Sequence, residues 1–499
     1  MNATTGRKSQ DPDRSADHAD AVRAEAGTAG TGGSAAKNTA SLDANAQVIR
    51  ATPLARYVAL IQADLRRRWP YLLAQSRVWL GRSAFWLASL AVGLAAVGFA
   101  LLTDKAAHLF IELTRRYPWA PFLISPLAGA GLLWVTRRWF QGAEGSGIPQ
   151  VIAELRRPYA VVNVWRPLVS LRIAFGKVLI GVAAVGAGFS FGREGPTVQV
   201  GACLMAAAER FLPATLRIQR HHLLVAGGAA GIAAAFNTPL AGIAFALEEL
   251  FRNVESRMSG VLIAAIALAG MLAKSLLGDH AYYGHVYLAD GGLLLAVLVC
   301  AVVSGVAGGL FARMLVLGGA GWRGPFARLR AEHAYVFAAL IGLFIATLGW
   351  ACGGLTWGSG YTETRAILGG HSDIPWFFGL AKFVATVSAY LSGLPGGIFA
   401  PSLAIGAGLG QNISALFSGT LIGAVLPSAL IVLCMVGFLS AATRAPITAF
   451  IIVMEMVEGY PIVFELMAAA LIASTVSRFI SPPLYLSLAN QMIDRQRQA

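Results

Sequence analysis

Long apolar runs recur along this chain, and they constrain its fold more than any other feature. Residues 83–102, 223–247, 261–277 and 336–352 each form an almost uninterrupted apolar stretch. A helix needs about 20 mostly apolar residues to cross the hydrocarbon core of a bilayer. The runs are apolar on all sides, whereas strands of a membrane β-barrel alternate polar and apolar residues. The sequence therefore predicts an all-α polytopic membrane protein.

The charged residues flank these runs instead of covering a soluble surface. Only 13% of the residues are charged and 56% are hydrophobic, against about 25% charged in soluble proteins. The net charge of +14 comes from arginines at the ends of the runs, not from the basic stripe of a nucleic-acid-binding protein. Short loops rich in Lys and Arg stay in the cytoplasm. Because Arg66, Arg67 and Arg68 precede the first run and Arg137 closes the second, we expect a cytoplasmic N-terminus.

Composition divides the chain into two parts. Residues 1–52 hold almost no large apolar side chains and cannot offset the entropy of ordering, so they are expected to form a disordered cytosolic tail. Residues 53–499 are expected to form one transmembrane domain. The cysteines stand singly in apolar segments, without the paired spacing of a zinc or redox site. Neither a metal nor a cofactor is expected.

Clusters of glycine and proline interrupt the apolar runs at residues 145–149, 192–196, 237–239 and 393–401. Helices broken at membrane depth are tolerated only where the backbone is buried in protein or lines a wet cavity. Interrupted segments in both halves of a transporter point to its binding site. Close helix packing explains many of the 56 glycines, but it does not explain Gly-Pro pairs beside charged residues.

Two of these clusters have the chemistry of an anion site. In the sequence GSGIP, glycines free the backbone before a helix, so N–H groups, the positive end of the helix dipole and the Ser146 hydroxyl converge. In GREGP, Glu194 would cost about 2.5–3.5 kcal/mol if it faced lipid. It should therefore face a cavity or a helix N-terminus and compete with an anion. Simple pairing with Arg193 is the alternative. The third cluster, GGIFAP, exposes the amides of Ile398 and Phe399.

GSGIP, GREGP and GGIFAP, in this order, resemble the three pore motifs of the CLC family of chloride channels and proton-coupled chloride antiporters, of the prokaryotic type without C-terminal CBS domains. The residues Pro483-Leu484-Tyr485 resemble the turn that carries the family's pore tyrosine. The resemblance implies a homodimer in which each subunit has its own pore. Each pore would lie between two inverted-topology halves whose broken helices meet there. A bacterial cytoplasmic membrane, with both termini inside, is expected.

The resemblance also implies roles for individual residues. The chloride site would be formed by the hydroxyls of Ser146 and Tyr485 and the backbone N–H groups of Ile398 and Phe399. Glu194 would be the gate, because its carboxylate can occupy the anion site when ionised and leave it when protonated.

A second glutamate distinguishes the family's antiporters from its channels. Glu249 falls at this proton-transfer position, whereas Glu248 is interpreted as a residue of the helix end. Lys177 resembles the buried lysine near the family's pore and is expected to attract anions at long range. The family commonly has an acidic residue after GSGIP, where this chain has Gln150 and Ile152. Any local partner that an acid at this position would give the Lys177 region is therefore expected to be missing.

Proton-coupled chloride antiport is the predicted function. The alternative on the same fold is a passive chloride channel gated by voltage or pH. Bromide or nitrate would fit a similar ring of donors. A membrane enzyme is not expected, because no HExxH or clustered histidine motif is present.

Overall fold

The computed structural model describes residues 53–157, 167–212, 218–250, 259–277, 293–320, 325–370, 373–418 and 426–498, together with Tyr283. The structure divides after Ser76 into two units. In the first unit, the described residues are helical. The second unit contains all the motifs singled out from the sequence. The expected disordered tail, residues 1–52, lies outside the described residues.

The described residues form α-helices and short 3₁₀ and π segments. The α-helices are, in chain order, α1 (Pro53–Arg116), α2 (Ala120–Trp139), α3 (Ile148–Leu155), α4 (Leu171–Val185), α5 (Glu194–Ala208), α6 (Arg220–Phe236), α7 (Pro239–Phe245), α8 (Ser259–Leu277), α9 (Leu293–Ala320), α10 (Pro325–Glu332), α11 (Ala334–Ala351), α12 (Tyr361–Leu368), α13 (Phe378–Leu391), α14 (Phe399–Leu416), α15 (Pro427–Thr443), α16 (Pro446–Val457), α17 (Val463–Arg478) and α18 (Leu484–Gln498).

In the described part of the chain, four helical segments are long and apolar enough to cross a membrane: Trp79–Arg116, Leu294–Gly319, Ala334–Ala351 and Tyr460–Arg478. Shorter apolar helices, such as Gly260–Leu276 and Phe378–Leu391, accompany them. The run at residues 223–247 is divided between α6 and α7, as its Asn-Thr-Pro cluster predicts. The other three runs lie within single helices, apart from one residue at the end of the last run.

Backbone geometry explains where the apolar helices stop. Asn237 ends α6 and Arg444 ends α15, both in the left-handed conformation with φ of 58° and 65°. Proline follows each of them in the first turn of the next helix, where its missing N–H group has no intrahelical partner to lose. The chain therefore changes direction within an apolar segment at a position where proline removes one backbone donor.

The order of elements occurs twice. Helices α1 to α8 correspond to α9 to α17, with α10 and α11 together matching α2. In both copies an eight-residue helix, α3 or α12, follows a Gly-Ser-Gly turn. The two copies also contact each other reciprocally. Glu248, just after α7, accepts N–H groups at the start of α16, and Glu455 of α16 accepts N–H groups at the start of α7.

Candidate anion-binding site

Backbone hydrogen bonds join the three glycine-rich motifs. The Gly145 N–H donates to Leu394 O at 3.2 Å, and the Gly396 N–H donates to Gly145 O at 3.1 Å. Gly192 and Gly397 exchange two hydrogen bonds, each of 2.8 Å. These short bridges bring the starts of α3, α5 and α14 together, although the third motif lies far from the first two in the sequence.

Glycine is required where these motifs touch. A Cβ atom on Gly195 would collide with Ser146 Oγ, and one on Gly397 would lie 2.8 Å from Gly192 O. Both contacts are too close for any side chain, so the backbones approach more closely than other residues allow. The Ser146 hydroxyl therefore lies directly against the second motif.

Among the residues that the structure describes, four buried oxygen atoms at this junction lack a hydrogen-bond partner. Ser146 and Tyr485 are each 1% exposed and Glu194 is 0% exposed. Within the described residues, the unpartnered atoms are Ser146 Oγ, Tyr485 Oη and both Glu194 carboxylate oxygens. Buried polar groups are normally paired, so such a cluster is typical of a site that binds something else.

Aromatic packing fixes the position of the Tyr485 hydroxyl. The Tyr485 ring stacks on Phe399, with centroids 6.1 Å apart and planes 9° from parallel. Phe236 also packs against Phe399, with ring centroids 6.0 Å apart. Because Phe399 is the first residue of α14 and Ile398 is its N-cap, the tyrosine is held at a helix start whose first N–H groups have no intrahelical partners.

Glu194 lies at the start of α5 and faces the start of α14. The carboxylate lies close to the backbone N–H groups of Glu194 itself and of Ala400. The Arg193 guanidinium donates instead to Asp104 Oδ1 at 2.7 Å and to Ala100 O at 3.0 Å. The structure thus places the carboxylate at a helix N-terminus, and not in a hydrogen-bonded pair with Arg193.

The two glutamates after α7 differ in their surroundings. Glu248 accepts hydrogen bonds from the Ile447 N–H at 3.1 Å and from the Thr448 N–H at 2.7 Å. It therefore caps α16. Glu249 is half-buried in the π-helical segment Ala246–Leu250 and lies within electrostatic range of the Tyr485 hydroxyl.

Lys177 is fully buried behind the first motif. Its Nζ donates to Ala143 O at 2.7 Å, to Gly145 O at 2.8 Å and to Glu144 O at 3.4 Å. These three carbonyls form the turn that leads into Ser146. The lysine therefore holds the turn in place and also brings a positive charge behind the serine.

Lys177 has an acidic neighbour that comes before the first motif and not after it. Glu144, on the other side of the motif from Gln150, lies within electrostatic range of Lys177. The Glu144 carboxylate accepts the Gly142 N–H at 2.8 Å, and the Gln150 amide donates to the Glu144 carbonyl. No acid stands directly after the motif, whereas the turn brings an acidic residue before it to the lysine.

The sequence analysis did not identify Tyr390. A Cβ atom on Gly145 would lie 3.7 Å from its Oη, and its hydroxyl lies within electrostatic range of Tyr485. It belongs to α13, shortly before Gly393 of the third motif. A polar-tipped aromatic next to the motif is the signal in the sequence that could have identified it.

Comparison with known proteins identifies the family of this chain. Residues 127–478 match the family described as voltage gated chloride channel. The chain belongs to this CLC family. The H(+)/Cl(-) exchange transporter ClcA of Cronobacter sakazakii is 31% identical over 448 residues, covering 83% of this chain and 91% of that protein. ClcA of Salmonella agona is 29% identical over 416 residues, covering 79% and 82%.

Solved structures of CLC proteins have the same fold. A slow cyanobacterial Cl-/H+ antiporter matches with a TM-score of 0.72 at 25% identity, covering 83% of this chain and 98% of that one. A eukaryotic CLC transporter matches with a TM-score of 0.65 at 22% identity, covering 84% and 75%. The predicted all-α CLC fold, with two inverted-topology halves and broken helices that meet at the pore, is confirmed.

Proposed function

We propose that this chain exchanges chloride for protons across a membrane. The observation that carries the proposal is the cluster of buried, unpartnered oxygens at the start of α14. A chloride ion there would accept hydrogen bonds from the hydroxyls of Ser146 and Tyr485 and from the N–H groups of Ile398 and Phe399. Helix N-termini favour anions without requiring a full positive charge.

Glu194 makes the site responsive to protons. An ionised carboxylate is attracted by the same helix N-termini as chloride and competes with it for the site. A protonated carboxyl group loses that attraction and can leave. Chloride and proton occupancy are therefore linked at one position, which is the requirement for exchange.

Glu249 completes a path for the proton. Both Glu194 and Glu249 lie within electrostatic range of the Tyr485 hydroxyl, so the two carboxylates lie near the same group at the centre of the site. A proton that reaches Glu249 could pass to Glu194 without using the chloride site. Lys177 would add a favourable potential for anions from behind Ser146.

The alternative is a passive chloride channel on the same fold, with Glu194 as its gate. The presence of Glu249 and the names of the ClcA relatives favour exchange. We propose chloride as the principal anion; bromide or nitrate would fit the same donors.

We further propose a homodimer in the bacterial cytoplasmic membrane, with both termini in the cytoplasm. Large apolar side chains on α7, α16 and α17 are exposed, including Leu240 at 51%, Ile447 at 49% and Phe464 at 73%. The half-buried carboxylates of Glu248 and Glu455 lie near this surface, and carboxylates favour protein over lipid contact. The named relatives are bacterial, and the arginines at the end of α2 fit a cytoplasmic position.

Purified protein in liposomes tests the proposal. With a chloride gradient imposed across the membrane, chloride efflux and the pH outside are recorded together. Exchange predicts that outward chloride movement drives protons inward against their own gradient. Chloride movement without any proton movement would support the channel, and the absence of chloride movement would contradict both functions.

A further inference from the structure

A large basic cavity lies beside the first and third motifs. It has a volume of about 1040 Å³, and its wall includes Gly142, Glu144 and Gln150 next to the first motif and Gly393 of the third. A water molecule occupies about 30 Å³ of liquid, whereas pockets for drug-sized ligands measure about 300–1,000 Å³. The cavity is thus far larger than the passage of a chloride ion requires.

The charges on the cavity wall are mostly of one sign. Its lining contains five arginines and one carboxylate: Arg137, Arg138, Arg172, Arg330, Arg495 and Glu144. None of the five arginines forms an ion pair with a carboxylate of the described part of the chain. The single carboxylate already accepts a hydrogen bond from Gly142. The wall therefore carries a large excess of positive charge.

Three of the arginines are held in place by uncharged groups. Arg330 donates to Gly318 O and Arg495 donates to Gly319 O, both at the end of α9. The Arg137 guanidinium lies over the Tyr335 ring, 5.8 Å from its centroid. Each guanidinium has five N–H donors, so these contacts orient the groups while leaving donors for a ligand.

We propose that this cavity binds a phosphate-bearing polyanion, which obstructs access to the pore. Guanidinium groups match phosphate oxygens in a bidentate geometry, and several of them suit a ligand with more than one phosphate. Monovalent chloride gains little from such a geometry. A soluble polyphosphate and a lipid headgroup share this chemistry.

The regulatory part of the inference rests on the proposed function, whereas the binding part does not. The cavity wall includes the turn before Ser146, and Tyr390 lies within electrostatic range of Arg330, Arg495 and Tyr485. A polyanion among the arginines would therefore occupy the approach to the anion site and hinder the entry of chloride.

Titration calorimetry on the full chain in detergent tests the binding, with sodium tripolyphosphate as the probe. We expect saturable binding that weakens as salt is raised. The variants Arg138→Gln and Arg172→Gln should each weaken it roughly tenfold, because each removes a charge-assisted hydrogen bond. Both side chains are exposed, so thermal unfolding should remain unchanged. Arg365→Gln, on α12 away from the cavity, is the matched control.

Equal affinity in the parent chain and in the double variant, which carries both Arg138→Gln and Arg172→Gln, would overturn the inference, as would equal affinity for orthophosphate and tripolyphosphate. Chloride flux then distinguishes the two sources. Tripolyphosphate should inhibit flux in phosphatidylcholine liposomes if the source is soluble. Cardiolipin, whose headgroup carries two phosphates, should by itself lower the flux of the parent chain, but not of the double variant, if the source is lipid. The absence of both effects would contradict regulation, and the absence of all flux would contradict the proposed function instead.

Discussion

The two halves of the molecule contain the same turn with different chemistry. In the first half, Lys177 holds three carbonyls before the Gly145-Ser146-Gly147 turn. In the second, Lys382 donates to Thr356 O at 3.0 Å, Trp357 O at 3.3 Å and Gly358 O at 2.8 Å. Both lysines are fully buried, so the scaffold is duplicated.

The serines of the two turns differ. The Tyr361 N–H donates to Ser359 Oγ at 3.4 Å, so this hydroxyl serves its own helix start. Ser146 Oγ is buried without a hydrogen-bond partner in the described part of the protein. The corresponding helix starts also differ, because α5 begins with Glu194 whereas α14 begins with Phe399. The two halves therefore share a backbone scaffold, and only a few side chains on it, such as Ser146 and Glu194, give the first half groups suited to an anion site.

Replacing Glu194 should have the largest effect. In Glu194→Ala, proton movement should fall to background while chloride movement continues, because no tethered carboxylate competes with the anion. Glu112→Ala, which removes an exposed carboxylate of α1, is the control and should remain coupled to protons. Paired flux in liposomes measures both, and pH-sensitive exchange in Glu194→Ala would contradict the gate assignment.

Variants of the neighbouring residues Glu248 and Glu249 should distinguish a role in proton transfer from a role in stability. Glu249→Gln should abolish proton flux and leave chloride flux. Glu248→Gln should keep coupling but lower the free energy of unfolding by about 1 kcal/mol, because it weakens the cap of α16. Glu455→Gln, which weakens the reciprocal cap of α7, is the control. Loss of proton flux only in Glu248→Gln would reverse the two roles.

Variants of the two turn serines, Ser146 and Ser359, should distinguish a role in chloride binding from a role in folding. Ser146→Ala should weaken chloride binding by roughly ten- to hundredfold, since a hydrogen bond to a charged group contributes about 1.5–3 kcal/mol. Ser359→Ala should leave chloride affinity unchanged. Calorimetric titration with chloride provides the measurement, and equal losses in both variants would show that the serines act only through the scaffold.

Replacing the two buried lysines should give the smallest difference in chloride affinity between the two halves. Lys177→Met and Lys382→Met should both lower the free energy of unfolding, by about 1–3 kcal/mol for each carbonyl left unsatisfied. Lys177→Met should additionally weaken chloride binding roughly tenfold through its lost charge. Thermal unfolding and titration on the same samples test this, and unchanged chloride affinity in Lys177→Met would leave it a purely structural role.

The broken helices could be predicted from the sequence because glycine and proline act locally. The breaks before Ile148, Glu194, Pro239 and Phe399 follow from backbone conformations that adjacent residues determine. That these breaks meet at one point depends on hydrogen bonds between residues far apart in the sequence. This meeting was therefore predicted only from the resemblance to a known family.

Other features could not be predicted from local patterns. Glu144 reaches Lys177, and Tyr390 reaches Gly145, because separate helices pack together. The same is true of the reciprocal caps that the carboxylates after α7 and on α16 provide. Partners far apart in one sequence leave no spacing signal, so only the three-dimensional arrangement identifies them.

Anomalous diffraction from crystals grown in bromide tests the central claim most directly. The account predicts a bromide peak between the hydroxyls of Ser146 and Tyr485 and the start of α14, with a further peak at the carboxylate position in Glu194→Gln. The absence of bromide from this junction, in crystals where it binds elsewhere, would contradict the account.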